Sequence, residues 1–124
     1  MLLVIAVGLG GASGALARYG LDRLIEHHLF TVFPWSTFTV NITGCFLAGA
    51  AVASLVDRHE LPGWARAGIV IGFLGAYTTF STFAQETRDL LVEGHHLLAF
   101  TNVAGSTIVG IAAVMAGVVV GRAL

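Results

Sequence analysis

Four long apolar segments, separated by short polar connections, make up most of the chain. They run from about 2 to 24, 37 to 56, 65 to 91 and 97 to 120. Each is close to the roughly 20 residues that an α-helix needs to cross the hydrocarbon core of a bilayer. Because backbone polar groups in lipid must be satisfied within their own segment, we expect four membrane-spanning helices rather than open strands. Residues 1–124 are predicted to form one all-α membrane domain.

The connections between these segments are too short to fold as separate domains. The first, His27–Ser36, contains Pro34, which fits a loop or a helix start. The second, Asp57–Trp64, contains the turn signal Pro62-Gly63, and the third is Glu93–His96. Function is therefore expected to reside in the helices themselves.

The composition favours lipid as the solvent. Hydrophobic residues make up 56% of the chain, charged residues only 10%, and the mean hydropathy is +0.88. A soluble domain of this size carries roughly a quarter charged residues. The net charge of −1 and the absence of lysine leave no basic patch for a nucleic acid. Cys45, the single cysteine, lies inside an apolar segment and is predicted to be a buried small hydrophobe.

The arginines are divided evenly between the two membrane faces. Four crossings place both termini on one face, with Arg58, Arg66 and Arg122, and leave Arg18, Arg23 and Arg88 on or near the other. The bias of Lys and Arg between faces sets orientation, and here none exists. Insertion in both orientations, and from it an antiparallel homodimer, is one prediction. A single orientation fixed by a partner or by the N-terminal amine stays open.

Small residues recur four positions apart along the predicted helices. The pairs are Gly10/Gly14, Gly44/Ala48, Ser106/Gly110 and Gly117/Gly121. Such spacing lets two helix backbones approach closely, so we interpret these positions as packing surfaces.

Polar residues inside the crossings are neutral hydrogen-bond donors. They are Asn41 with Thr37, Thr39 and Thr43, the run Tyr77–Phe83, and Thr101, Asn102, Ser106 and Thr107. No Lys, Asp or Glu lies in residues 1–21, 37–56 or 68–84. Donors without a fixed charge can replace the hydration water of a small anion without trapping it. The alternative role is hydrogen bonding between helices, which is at least as good for Thr39, Thr43 and Thr101.

Two features of the third segment refine this picture. Phe80 and Phe83 share one helix face, and phenyl edges carry the partial positive charge that attracts an anion. Thr78 and Thr79 compete for backbone hydrogen bonds through their side chains, and glycines precede them. We therefore predict a break in the third helix near residues 75–79, where freed carbonyls can hold a cation and amides favour an anion.

Nothing in the chain indicates an enzyme. No nucleophile–base constellation, phosphate-binding loop or dinucleotide fingerprint occurs. His27, His28, His95 and His96 share one membrane face and His59 the other, without the Cys or carboxylate spacing that completes a metal site. We interpret them as solvated loop histidines.

Three further stretches are distinctive: residues 10–19 (GGASGALARY), 33–46 (FPWSTFTVNITGCF) and 72–83 (GFLGAYTTFSTF), the last followed by Glu86. In these stretches the sequence resembles the Fluc/CrcB family of small fluoride ion channels. Length, number of crossings and order agree as well, so the resemblance spans essentially the whole chain. It implies passive fluoride export through two pores of an antiparallel dual-topology homodimer in the bacterial inner membrane, as protection against fluoride toxicity.

The resemblance also implies roles for individual residues. Asn41, Phe80, Phe83, Ser81, Thr82, Glu86 and Ser106 match pore positions, Arg18 matches the arginine near the aqueous vestibule, and the backbone carbonyls of Gly75 and Thr78 match the ligands of a central structural Na⁺.

Two other functions compete with a fluoride channel. A small dual-topology multidrug or cation exporter has similar length and four crossings, but it needs a carboxylate deep in the first helix, where residues 1–21 have none. A membrane scaffold without transport would explain the small residues but not the run of hydroxyl and phenyl groups.

Overall fold

The structure, a computed structural model, describes residues 1–56 and 61–124, which fold into α-helices and two π-helical stretches. In chain order these are α1 (Leu2–His28), α2 (Trp35–Ala51) with the π-helical extension π1 (Val52–Val56), α3 (Gly63–Ala67), the second π-helical stretch π2 (Gly68–Leu74), α4 (Gly75–Tyr77), α5 (Phe80–Val92) and α6 (His96–Ala123).

Four helical spans are long and apolar enough to cross a membrane: Leu2–His28, Trp35–Leu55, Gly63–Val92 and His96–Ala123. No strand occurs in the part of the chain that the structure describes. The prediction of four membrane-capable helices is therefore confirmed. Gly63–Val92, called the third span below, contains α3, π2, α4 and α5.

Some predicted features lie outside the described residues. They are residues 57–60 of the second connection, and with them Arg58 of the arginine count and His59.

The helix ends follow from proline and glycine. Pro34 immediately precedes α2, and Pro62 precedes α3, as their fixed φ favours at a helix start. After α5, Gly94 adopts φ 83°, and the amide of His95 donates to the carbonyl of Leu90 at 2.8 Å. This left-handed glycine closes the helix and turns the chain into α6.

Glycines allow close backbone contact in two helix pairs. A Cβ on Gly10 or Gly14 would collide with backbone atoms of π2. On α6, a Cβ on Gly117 or Gly121 would collide with the backbone of α2. The predicted packing role of both pairs is confirmed: α1 packs on the third span, and α2 on α6.

The second half of the third span is attached more loosely. The only buried residue of α5 is Leu90, and this helix packs mainly on α6, with fewer contacts to α2. The side chain of Phe80, at its start, is 79% exposed. Polar contacts therefore carry much of the attachment of α5 to the rest of the helical bundle.

The close approach of α1 to π2 predicts that two glycines of α1 respond oppositely to alanine. Gly14→Ala forces a methyl group against the Phe73 backbone and should cost about 1–3 kcal/mol of stability, as overpacking does. Gly20→Ala is the matched control, since nothing lies within 4 Å of its Cβ position, and it should be neutral or gain up to ~1 kcal/mol from helix propensity. Thermal unfolding in detergent measures both. Equal melting temperatures for the two variants would contradict the packing.

Candidate functional site

The helical backbone is interrupted between α4 and α5. Thr78 has φ −81° and ψ 156°, and Thr79 has φ −145° and ψ 110°, both extended. The Thr78 hydroxyl donates to the carbonyl of Leu74 at 3.0 Å, and the Thr79 hydroxyl accepts from the amide of Thr82 at 3.3 Å. The threonine side chains thus bond to the backbone on either side of the interruption, as the sequence analysis expected of them.

Asn41 on α2 binds the interruption through both ends of its side-chain amide. Its Nδ2 donates to the carbonyl of Thr79 at 3.1 Å, and its Oδ1 accepts from the amide of Thr79 at 2.8 Å. The carboxamide thereby replaces two bonds that a continuous helix would make through its own backbone. This geometry leaves one Nδ2 hydrogen of Asn41 for another acceptor.

Thr79 also caps the first turn of α5. Its hydroxyl lies 2.9 Å from that of Thr82. Ser81, which immediately precedes Thr82, is exposed and makes no hydrogen bond to the described residues through its side chain. The start of α5 therefore presents an exposed hydroxyl beside Phe80, together with the amides that open a helix.

Two carbonyls at the interruption have lost their helical donors. The amide of Thr79, which a continuous helix would direct at the carbonyl of Gly75, donates to Asn41 instead. The amide of Thr82, which would be directed at the carbonyl of Thr78, donates to the Thr79 hydroxyl. Free carbonyl oxygens are the groups with which an unwound membrane helix holds an alkali cation. The donor set at Gly75 and Thr78 therefore fits a Na⁺ ion.

Phe80 and Phe83 lie together on the first turn of α5. Their ring centroids are 5.7 Å apart with planes tilted by 41°. Phe83 is half-buried, while Phe80 is exposed on the surface of the helical bundle.

Glu86 lies one turn after Phe83 and pairs with a residue that the sequence analysis left unassigned. The buried hydroxyl of Thr37 donates to Oε1 of Glu86 at 2.7 Å. Oε2 is buried and accepts no hydrogen bond from the described residues. Thr37 and Asn41 are four apart on α2, so one face of α2 contacts α5 at both Thr79 and Glu86.

Ser106 belongs to a separate series of hydrogen bonds that starts from α6. Its hydroxyl lies 3.4 Å from Oδ1 of Asn102, and Nδ2 of Asn102 donates to the Thr87 hydroxyl at 3.0 Å. Thr87 donates in turn to the carbonyl of Phe83 at 2.8 Å. Asn102 is only 1% exposed. This series of hydrogen bonds links α6 to the backbone of Phe83, a predicted pore phenylalanine.

A hollow opens beside the interruption on the outer face of the helical bundle. It measures about 290 Å³ and is lined by residues that include Gly44, Cys45, Gly75 and Thr78. A Cβ on Gly44 would collide with the methyl group of Thr78. Nearby, the hydroxyl of buried Tyr77 lies 2.8 Å from that of Thr43, which fixes α4 against α2.

The structure brings most of the predicted site residues into one region and leaves Ser106 and Arg18 outside it. Asn41, Thr78, Thr82 and the two phenylalanines meet at the interruption, with Glu86 one turn further. Arg18 is half-buried on α1 and shares no hydrogen bond or ion pair with another described residue.

Sequence reasoning did not identify Thr87, and it named Thr37 and Thr79 as polar residues of their segments without their partners. For Thr37, a spacing of four from Asn41 on an apolar helix was an available signal. The pairings of Thr79 and Thr87 depend on how α5 lies against α2 and α6.

The family described as CrcB-like protein, Camphor Resistance (CrcB), matches residues 5–118 of the chain. The chain belongs to the CrcB family. The match covers the second and third spans in full, most of the first and fourth, the interruption at Thr78–Thr79 and every site residue described above. The resemblance noted in the sequence is thereby confirmed.

Curated relatives in the CrcB family carry a common functional name. The chain is 45% identical over 116 residues to the fluoride-specific ion channel FluC of Solidesulfovibrio magneticus, covering 94% of this chain and 93% of that protein. It is 48% identical over 117 residues to FluC of Acidobacterium capsulatum, again covering 94% and 93%. It is 40% identical over 124 residues to FluC of Geobacter metallireducens, with both chains fully covered.

Proposed function

We propose that this protein is a fluoride-specific ion channel that lets fluoride leave a bacterial cell passively through the cytoplasmic membrane. The observation that carries the proposal is the polar track at the interruption of the third span. There the Asn41 amide, the Thr82 hydroxyl and the rings of Phe80 and Phe83 lie at the interruption, with the exposed hydroxyl of Ser81 on the same first turn of α5 and no fixed charge among them. Relatives in the same family bear the name fluoride-specific ion channel.

The track suits the chemistry of fluoride. A small anion holds water tightly, so a narrow path has to offer hydrogen-bond donors and ring edges in place of that water. A fixed positive charge at the same depth would bind the ion too firmly for it to leave. In this proposal Ser81 and Thr82 supply donors, Phe80 and Phe83 supply ring edges, and Arg18 lies at the vestibule, where a positive charge raises the local anion concentration.

Glu86 and Ser106 are proposed to lie further along the same path. Thr37 holds one oxygen of Glu86, and the second oxygen is buried without a partner among the described residues. A buried polar atom without a partner is costly and calls for a functional explanation. Ser106, at the end of the series of hydrogen bonds through Asn102, is proposed to add a hydroxyl from α6.

A second copy of the chain is the proposed partner for the exposed face beside the interruption. Phe80 is 79% exposed there, and the hollow around Gly75 and Thr78 opens in the same region. An antiparallel copy would cover both and would complete two pathways along the shared interface. The even division of the arginines supports insertion in both orientations.

A Na⁺ ion is proposed to lie between the two copies at the carbonyls of Gly75 and Thr78. The ion would supply positive charge that holds the two interrupted helices together. The support for it is the loss of helical donors at both carbonyls, described above.

Efflux from liposomes tests the channel function. Protein reconstituted into vesicles loaded with fluoride, with valinomycin carrying the compensating K⁺, should release fluoride far faster than matched vesicles release chloride. A fluoride electrode follows the release, and no proton gradient should be needed. Equal fluoride and chloride rates, or a requirement for a proton gradient, would reject the proposal in favour of an exporter. No observation favours the exporter at present, since residues 1–21 contain no carboxylate.

Labelling from outside the cell tests the antiparallel arrangement. Thr31 is exposed in the connection between α1 and α2, and Cys45 is the only native cysteine. The Thr31→Cys substitution is made in a Cys45→Ala background, and intact cells are treated with an impermeant maleimide. About half of the introduced cysteines should be labelled, because an antiparallel dimer exposes residue 31 of one copy on each side of the membrane. Permeabilised cells give the total. Complete labelling or none would mean a single orientation.

A further inference from the structure

We propose that Asn102 and Thr87 are positioning residues that hold the pore phenylalanine Phe83 in its conducting orientation. The inference deepens the proposed function and rests on it. Neither residue matches a pore position in the resemblance, and the hydrogen bonds of Asn102 run through Thr87 to the backbone of Phe83 rather than towards the track.

The burial of Asn102 is the first argument. Its side chain is 1% exposed in the interior of a membrane-spanning helix, where an amide without partners is costly. Both ends of the amide are engaged, Nδ2 with Thr87 and Oδ1 with Ser106. The neighbouring threonines of α6 differ, because Thr101 and Thr107 are exposed and donate only to carbonyls of their own helix. Asn102 therefore serves a contact between helices.

The second argument is the direction of the contact. Thr87 uses its single hydroxyl hydrogen on the carbonyl of Phe83 and accepts the bond from Asn102 with a lone pair of the same oxygen. A threonine hydroxyl bonded to the carbonyl four residues earlier affects the local bend of a helix. Asn102 fixes the rotamer of Thr87, and Thr87 fixes the backbone from which the Phe83 ring projects.

The third argument is the weak apolar attachment of α5. Leu90 is its only buried residue, so few apolar contacts resist a rotation of this helix about its axis. Side chains from other helices hold α5 and its cap at Thr79, Glu86 and Thr87. Of these three, only the bond to Thr87 continues to the backbone of a ring-bearing residue. Its loss should allow Phe83 to leave the orientation that lines the path.

Isosteric substitutions test the proposal in liposomes reconstituted with a known number of dimers per vesicle. Thr87→Val and Asn102→Leu remove the hydrogen bonds and keep side-chain volume. Each should slow fluoride release per dimer about fivefold, which corresponds to the loss of the Asn102–Thr87 bond that both variants share, at the strength of a membrane-interior hydrogen bond. Thr87→Ser keeps the hydroxyl and should conduct like the unmodified protein. Thr101→Val and Thr107→Val are matched controls on α6 that should also leave the rate unchanged.

The readouts separate positioning from a merely structural role. A structural role would lower the amount of dimer recovered by size-exclusion chromatography, while each surviving dimer would conduct at the normal rate. Positioning lowers the rate per dimer at normal recovery. The double variant Thr87→Val/Asn102→Leu should be no slower than either single variant, because all three lose the same link.

Specific outcomes would overturn the inference. An unchanged rate per dimer in Thr87→Val would do so. Because this variant loses only one hydroxyl, it keeps the test available if Asn102→Leu fails to assemble. So would a Thr87→Ser variant as slow as Thr87→Val. Unmodified protein that releases no fluoride would instead reject the proposed function itself, so the two failures are distinguishable.

Discussion

Asn41→Leu is expected to reduce fluoride release about a hundredfold, because two buried hydrogen bonds at the interruption are lost together. Thr79 is only 8% exposed, so its amide and carbonyl would both be left without partners in a region poor in water. Leaving a buried donor or acceptor unpaired costs about 1–3 kcal/mol for each group. Part of the loss should therefore come from a displaced backbone, and part from the missing donor on the path.

A second substitution separates these two contributions. Asn41→Asp keeps the shape and the acceptor for the Thr79 amide, loses the donor to the Thr79 carbonyl, and adds a negative charge that repels an anion. It should be at least as slow as Asn41→Leu while retaining more of the thermal stability. Thr39→Val, two residues away on α2, is the matched control and should leave both properties unchanged. Release at the normal rate from Asn41→Leu would show that the amide bridge is dispensable.

The number of crossings and their packing surfaces could be predicted because lipid imposes strong local rules. Segment length and hydropathy alone define four spans. Glycines four apart at Gly10/Gly14 and Gly117/Gly121 predict close backbone approach, and all four have a neighbouring backbone where a Cβ would be. The positions at which the helices end are harder to predict. The first segment was predicted to end near Leu24, yet α1 continues to His28, since charged residues stop a crossing but not a helix.

The candidate site could be predicted by residue type but not by pairing. Neutral donors and phenyl rings inside a crossing are visible in sequence. The bond between Thr37 and Glu86 joins residues 49 positions apart, and its existence depends on the register of α5 against α2. The link between Asn102 and Thr87 depends in the same way on the turn at Gly94. The seven-residue π-helical stretch Gly68–Leu74 was also not predicted, since it arises where this backbone accommodates α1.

Phe80→Ile and Phe83→Ile test whether ring edges assist the anion. Isoleucine retains an apolar side chain and removes the partial positive edge, an interaction of roughly 0.5–1.5 kcal/mol in aromatic pairs. Each substitution should slow fluoride release about tenfold if most of that interaction is made at the rate-limiting point. The proposed dimer should remain intact, because isoleucine keeps an apolar side chain on the exposed face that the second copy is proposed to cover.

Phe100→Ile is the matched control for these rings. Phe100 lies on α6, is 70% exposed and makes no ring contact with Phe80 or Phe83, so its replacement should not change the rate. Comparing the three variants distinguishes a ring at the path from the general loss of an exposed aromatic residue. Normal rates in both Phe80→Ile and Phe83→Ile would remove the aromatic contribution. The neutral donors of the track, held in place by Asn41 and Thr79, would then have to replace the hydration of fluoride without help from the rings.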